Sequence, residues 1–147
     1  MHAFQTQDCA MTLAEGLAEY YRDNPGLKRG DALSAPAAAF FRSHDAVHVV
    51  YGRGTSLPDE AVVKLASLFG TTGGLSVLGG YALHDSQDIY RTLRLSEILR
   101  TLVAAVIIVP RTLVRCLRQS RPWPWTDFEA LRNQPLRDIR RRFGIAV

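Results

Sequence analysis

Residues 36–51 read PAAAFFRSHDAVHVVY, and this stretch decides what kind of fold the chain adopts. Plotted at about 100° per residue, Ala37, Phe40, Phe41, His44, His48 and Tyr51 fall on one stripe, the pattern of an α-helix with a buried face. Ala46, Val47, Val49 and Val50 cover much of the remaining circumference, so the C-terminal half is apolar nearly all round. Pro36 sits in the first turn, where a missing N–H costs little. Gly52 follows as the residue type best suited to a left-handed cap. Two histidines one turn apart, with Asp45 beside them, interrupt this apolar helix. A buried carboxylate without a partner is strongly unfavourable, so Asp45 must be paired, metal-bound or locally solvated.

Helical spacing continues on both sides. A first helix is expected over about Met11–Arg22, with Leu13, Leu17 and Tyr20 on one face, ended by Asn24-Pro25-Gly26. Beyond the Gly52–Ser56 loop, Ser56 is placed to cap a third helix that carries Pro58 in its first turn and runs to Phe69. Gly70–Gly74 breaks the chain; it lacks the Lys-Ser/Thr of a phosphate-binding loop and reads as a turn. Leu75–Leu83 is a short apolar segment of ambiguous type. One long helical pattern spans about Tyr90–Arg118, and Pro110 inside it predicts a kink or break. Arg121–Trp125 should be extended, Thr126 and Glu129 have capping-box spacing for a helix to about Leu131, and Pro135–Phe143 gives a last arginine-rich turn or two. No period-2 run of β-branched residues competes. The expected fold is all-α: one single-domain helical bundle of about six to seven helices spanning residues 1–147.

The totals agree with one globular domain: 147 residues, 47% hydrophobic and 22% charged, too apolar for disorder. Cys9 and Cys116 lie far apart without a C-x-x-C spacing, which points to a reducing compartment rather than a disulfide scaffold. Met1–Tyr21 includes Asp8, Glu15 and Glu19 and lacks a basic stretch before an apolar run, against a secretory signal or mitochondrial transit peptide. The longest apolar run, Leu102–Val109, is far shorter than the roughly 20 residues that span a bilayer. Charge is uneven: residues 1–90 carry 6 basic and 10 acidic side chains, and residues 91–147 carry 12 arginines against 4 acids. A basic half suits an anionic partner.

Histidines at i and i+4 point the same way and can share an ion, and Glu60 can return across the glycine-rich loop to offer an oxygen. Two imidazoles with one or two carboxylates suit Zn2+ first, then Fe2+, Mn2+ or Mg2+. The structural alternative has His44 and His48 bonded to carbonyls in the core, Asp45 bridging to an arginine such as Arg42, and Glu60 in an exposed i,i+4 pair with Lys64.

His44-Asp45-Ala46-Val47-His48, then eleven residues, then Glu60 forms an H-D-x-x-H-x11-E string. It resembles the signature of the Coq-four family of ubiquinone (coenzyme Q) biosynthesis proteins. Gly52, Ala61-Val62-Val63-Lys64, Trp125 and the run Pro135–Ile145 extend the likeness. It departs at Asp59, where many members have a small residue, and in the chain's shorter length. The resemblance implies a helical protein with a divalent ion on His44, Asp45, His48 and Glu60, the same residues serving catalysis. It implies binding of a polyprenylated aromatic quinone precursor, oxidative removal of the C1 carboxyl group, and association with other quinone-biosynthesis proteins. The setting expected is cytoplasmic, peripheral on the inner face of the plasma membrane. A non-catalytic prenyl-lipid-binding scaffold is the alternative, and homodimer formation is left open. An HD-type phosphohydrolase would need a further upstream histidine on another helix, and only His2 precedes the motif.

Leu95, Ile98, Leu99, Leu102, Val106 and Val109 form a wide apolar stripe flanked by Arg91, Arg94, Arg100 and Arg111. It reads either as a core helix with solvated arginines or as a helix that sheathes a prenyl tail or enters a lipid interface. Arg115, Arg118 and Arg121 with Trp123 and Trp125 suit a membrane interface. With only two lysines and no recognised binding motif, nucleic acid is not expected as a partner. His84, Asp85 and Asp88 form a further cluster, expected at the surface.

Overall fold

Ser34 and Ser56 start the two helices on which the fold turns, each side-chain oxygen accepting a backbone N–H three residues on. The computed structural model describes residues 2–27, 33–81 and 95–147, with the backbone alone for 95–102 and 104. Its helices are α1 (Leu13–Asp23), α2 (Ala35–Val50), α3 (Leu57–Phe69), α4 (Val77–Tyr81), α5 (Leu95–Leu117) and α6 (Leu136–Phe143). Short 3-10 turns occur at Ala3–Gln5, Gly74–Ser76 and Glu129–Leu131, and no strand is found among the described residues. The chain is an all-α, single-domain bundle. The cluster at His84, Asp85 and Asp88, and the arginines 91 and 94, lie outside the described residues.

Helix α2 is the central element. From Ser43 to Val50 every residue is buried, and α1, α3, α4 and α6 all pack against it. Val47, Val49 and Val50 meet Phe4, Leu13, Leu17 and Tyr20 from the N-terminal side and Leu136, Ile139 and Phe143 from the C-terminal side. Gly16 is where α1 comes closest: a Cβ there would lie 2.7 Å from Val49 Cγ1. Thr12 and Glu15 form a reciprocal capping box at the head of α1.

One cation sits inside this core. Arg140 is fully buried, and its guanidinium donates to the carbonyls of Val50 (2.8 Å), Val49 (2.9 Å), Phe4 and Thr6. Two of these acceptors are carbonyls from the last turn of α2, which have no partner within the helix and carry its negative dipole end. Arg140 therefore joins α6, the N-terminal turn and the end of α2 at a single point. Burial pushes its pKa down to about 10.

Three expectations change on contact with the structure. Pro110 does not break α5, which runs unbroken from Leu95 to Leu117. Both Pro110 and Val106, whose carbonyl loses its helical donor, are on the exposed side, where water replaces the missing bond. Thr126 does not cap a helix: the 3-10 turn at Glu129–Leu131 begins after Phe128 with no side-chain cap. Trp123 is not an interfacial residue. It is completely buried, stacks on Phe128 and meets Phe143 edge-on, and its backbone pairs with Gly70 and Thr72. Trp125 rests against Phe40.

Candidate metal centre

The turn from α2 to α3 sets the geometry. Tyr51 caps α2, Gly52 follows with φ +63°, and the bonds Arg53 N–H to His48 O (2.7 Å) and Gly52 N–H to Val49 O (3.2 Å) close a Schellman motif. Ser56 then opens α3, its hydroxyl donating to Asp59 Oδ2 at 2.7 Å and accepting the Asp59 N–H. This puts Glu60 in the first turn of α3, facing back toward the last two turns of α2. Asp59, the departure from the resembled pattern, thus has a capping role and also lies 3.7 Å from Arg53.

His48 Nε2 is 3.3 Å from Glu60 Oε1, and His44 Nε2 is 3.7 Å from Glu60 Oε2. One ligand atom from each of His44, His48 and Glu60 lies within 4.8 Å of the others. Both histidines are buried, and the Glu60 side chain is 29% exposed, so the group opens to one side. His48 Nδ1 is 2.9 Å from the Gly54 carbonyl. A carbonyl only accepts, so Nδ1 carries a proton, and Nε2 is the ring atom turned toward the Glu60 carboxylate. Both Nε2 atoms are buried without a hydrogen-bond partner. The donor set therefore fits a divalent ion: two imidazoles, one held at Nδ1 by the loop, and one carboxylate.

Burial works to raise the Glu60 carboxyl, but the His48 imidazole, then His44 and Lys64, outweigh it and hold the group below the ordinary carboxylate range. Burial lowers Lys64, opposed by Glu60, and its ammonium lies 5.2 Å above the Tyr81 ring. Aromatic rings hold the imidazoles in place. Tyr20 stacks on His48 at 5.2 Å, Phe40 stacks on His44 at 5.8 Å, and Tyr81 meets His44 edge-on.

Asp45 stands apart from this three-atom group. Its Oδ2 accepts the Tyr21 hydroxyl at 2.9 Å, and its Oδ1 lies 3.8 Å from His44 Nδ1, the nitrogen turned away from Glu60. The buried carboxylate is thus satisfied by a phenol rather than by Arg42, and its other oxygen lies near His44 but beyond hydrogen-bond distance. Sequence spacing gave no sign of Tyr21, since it lies on another helix 24 residues away.

One turn before His44, an apolar cleft of about 320 Å³ is lined by Phe40, Val77, Gly80 and Trp125, and none of His44, His48 and Glu60 is in its wall. Gly80 is required by the closeness of Phe40: a Cβ there would fall 1.9 Å from Phe40 Cδ2. A further trio, His2, Glu19 and Asp23, is also close together. Glu19 is already used by the N–H groups of Ala3 and Phe4, and His2 contacts Asp23, so that group holds the N-terminal turn in place.

No protein-family model matches the chain, and no match is found among curated proteins or solved structures.

Proposed function

We propose that the chain is a divalent-metal protein of ubiquinone or prenylquinone biosynthesis, of the Coq-four type. In this reading it binds a polyprenylated aromatic precursor and assists oxidative removal of the C1 carboxyl group at a membrane surface. The observation that carries the reading is the convergence of His44, His48 and Glu60, buried imidazole nitrogens included, at the sequence spacing of the resembled signature. Zn2+ or a similar ion on these residues would supply a Lewis acid. His48 Nδ1 is held by the Gly54 carbonyl, and the His44 ring is held between Phe40 and Tyr81. Asp45 is bonded to Tyr21 here rather than serving as a fourth ligand.

Three protein ligands leave coordination positions for a substrate group, and a separate cleft is walled by Val77, Trp125 and Phe40, whose ring stacks on His44. That combination favours an enzyme over a scaffold whose metal is fully enclosed. The apolar wall suits an aromatic ring or the first units of a prenyl chain. No described helix is long and apolar enough to cross a membrane, which is compatible with peripheral attachment.

Metal and lipid analysis of one freshly purified sample tests the reading. Elemental analysis should find about one divalent ion per chain, absent in His48→Ala, and mass spectrometry of the organic extract should find an isoprenoid. Full metal occupancy in His48→Ala removes this site. Metal without any isoprenoid across several preparations leaves the ion and discards the quinone precursor.

A further inference from the structure

Helix α5 carries a second unusual surface, on elements that take no part in the metal centre. Val103, Val106, Ile107, Pro110, Val114 and Leu117 recur at helical spacing along one side, and all are exposed. Val103, Val106 and Leu117 are 75%, 76% and 85% accessible. The opposite side, with Thr112 and Cys116, is buried toward α3. The stripe expected from sequence to be either core or lipid-facing is, at Val106 and Val109, on the outside.

Arginines border this stripe on one edge and converge beside it. Arg111 and Arg115, one turn apart on α5, share a cleft of about 330 Å³ with Arg53 from the α2–α3 loop; Val62, Ile107, Ile108, Thr112 and Val147 form the rest of its wall. Like charges at i,i+4 repel, and a third guanidinium adds to the cost. Among the described residues no carboxylate forms an ion pair with Arg111 or Arg115, and Arg53 reaches only Asp59, at 3.7 Å. Arg53 Nε is buried with no hydrogen-bond partner. Burial lowers the pKa of Arg115, and Arg111 and Arg53 lower it further. Three guanidinium groups, of which only Arg53 has a side-chain carboxylate in reach among the described residues, form a receptor for an anion with several oxygens, for which their planar forks are suited.

We propose that the Arg53–Arg111–Arg115 cleft binds the phosphate headgroup of an anionic membrane lipid, with the exposed stripe of α5 set into the adjoining acyl region. Charge and shape both select this occupant. A free phosphate uses the arginines and leaves the stripe in water, and an apolar protein partner leaves Arg111 and Arg115 without a counter-charge. A phospholipid surface satisfies both at once. The inference stands independently of the metal reading, because no ligand of that centre lines the cleft.

Cosedimentation with phosphatidylcholine vesicles, with and without phosphatidic acid, tests it, alongside calorimetry with inorganic phosphate. The full chain should bind the phosphatidic acid vesicles and not the neutral ones. Each exposed arginine contributes about fivefold, so Arg111→Ala with Arg115→Ala should bind about 25-fold more weakly at an unchanged melting temperature. Val106→Ser with Ile107→Ser should also weaken vesicle binding, and Glu60→Gln should leave it intact. Equal binding by the arginine pair variant, or equal binding to neutral vesicles, overturns the proposal. Tight capture of inorganic phosphate without vesicle binding replaces the lipid by a soluble phosphate. Binding of a single-stranded RNA oligonucleotide in preference to vesicles likewise overturns it.

Discussion

Replacing Glu60 by glutamine keeps the length of the side chain and the start of α3 but removes the charge that faces two imidazoles. Glu60 Oε1 and Oε2 stand 3.3 Å and 3.7 Å from His48 Nε2 and His44 Nε2, so the carboxylate is the one anionic donor in the trio. A divalent ion at a hundred times its Kd stabilises the folded chain by about 2.7 kcal/mol. For a domain of this length that corresponds to a rise of about 8–10 °C in the midpoint of unfolding. A hundredfold loss of affinity in Glu60→Gln, about 2.7 kcal/mol, brings the same metal concentration down to the new Kd. The gain then shrinks to about 0.4 kcal/mol, or roughly 1 °C. Differential scanning fluorimetry of chelator-stripped protein, with and without Zn2+, measures this directly. Glu129→Gln, an exposed carboxylate on the far side of the sequence motif, serves as the control and should keep the full shift. The same 8–10 °C rise in Glu60→Gln and the native chain would refute the placement of the ion.

Arg140→Met should lower unfolding stability by about 2–5 kcal/mol in urea, because it strands the carbonyls of Val50 and Phe4 in the core, while those of Val49 and Thr6 keep the N–H groups of Gly52 and Cys9; a loss below about 1 kcal/mol would show that the stranded carbonyls find other donors. Gly80→Ala drives a Cβ into the Phe40 ring that stacks on His44. It should cost about 1–3 kcal/mol by overpacking and weaken metal binding as well, read by denaturant midpoint and Zn2+ titration. The Glu60 carboxyl is held below its ordinary value in the fold, so its contribution to stability is complete above about pH 4.5 and is lost as pH falls through the folded value. Metal-free native protein should therefore lose more stability than Glu60→Gln on acidification below pH 4.5, and parallel urea midpoints for the two would contradict this.

The amino-acid sequence by itself determined the helices, because their signals are local. Ser34 and Ser56 lie directly before apolar-periodic runs, Pro36 and Pro58 fall in first turns, and Gly52 takes the left-handed conformation that ends α2. It also determined that His44 and His48 share a face, since four residues are one turn, but it left open whether Glu60 turns back to them or pairs with Lys64 in solvent, which the packing of α3 on α2 decides. What lay beyond it were contacts between elements far apart in the chain. Tyr21 bonds Asp45 across 24 residues, and Arg140 reaches the Val50 carbonyl at the end of α2 across 90. In the sequence Arg140 is one of several arginines on a short basic helix, and Trp123 is an aromatic beside cations. Only packing distinguishes the buried Arg140 from the exposed Arg141 and Arg142, and turns Trp123 into the core. Local spacing fixes which way side chains point along one helix, but whether a polar group meets water, a carbonyl or a metal depends on what the rest of the chain brings against it.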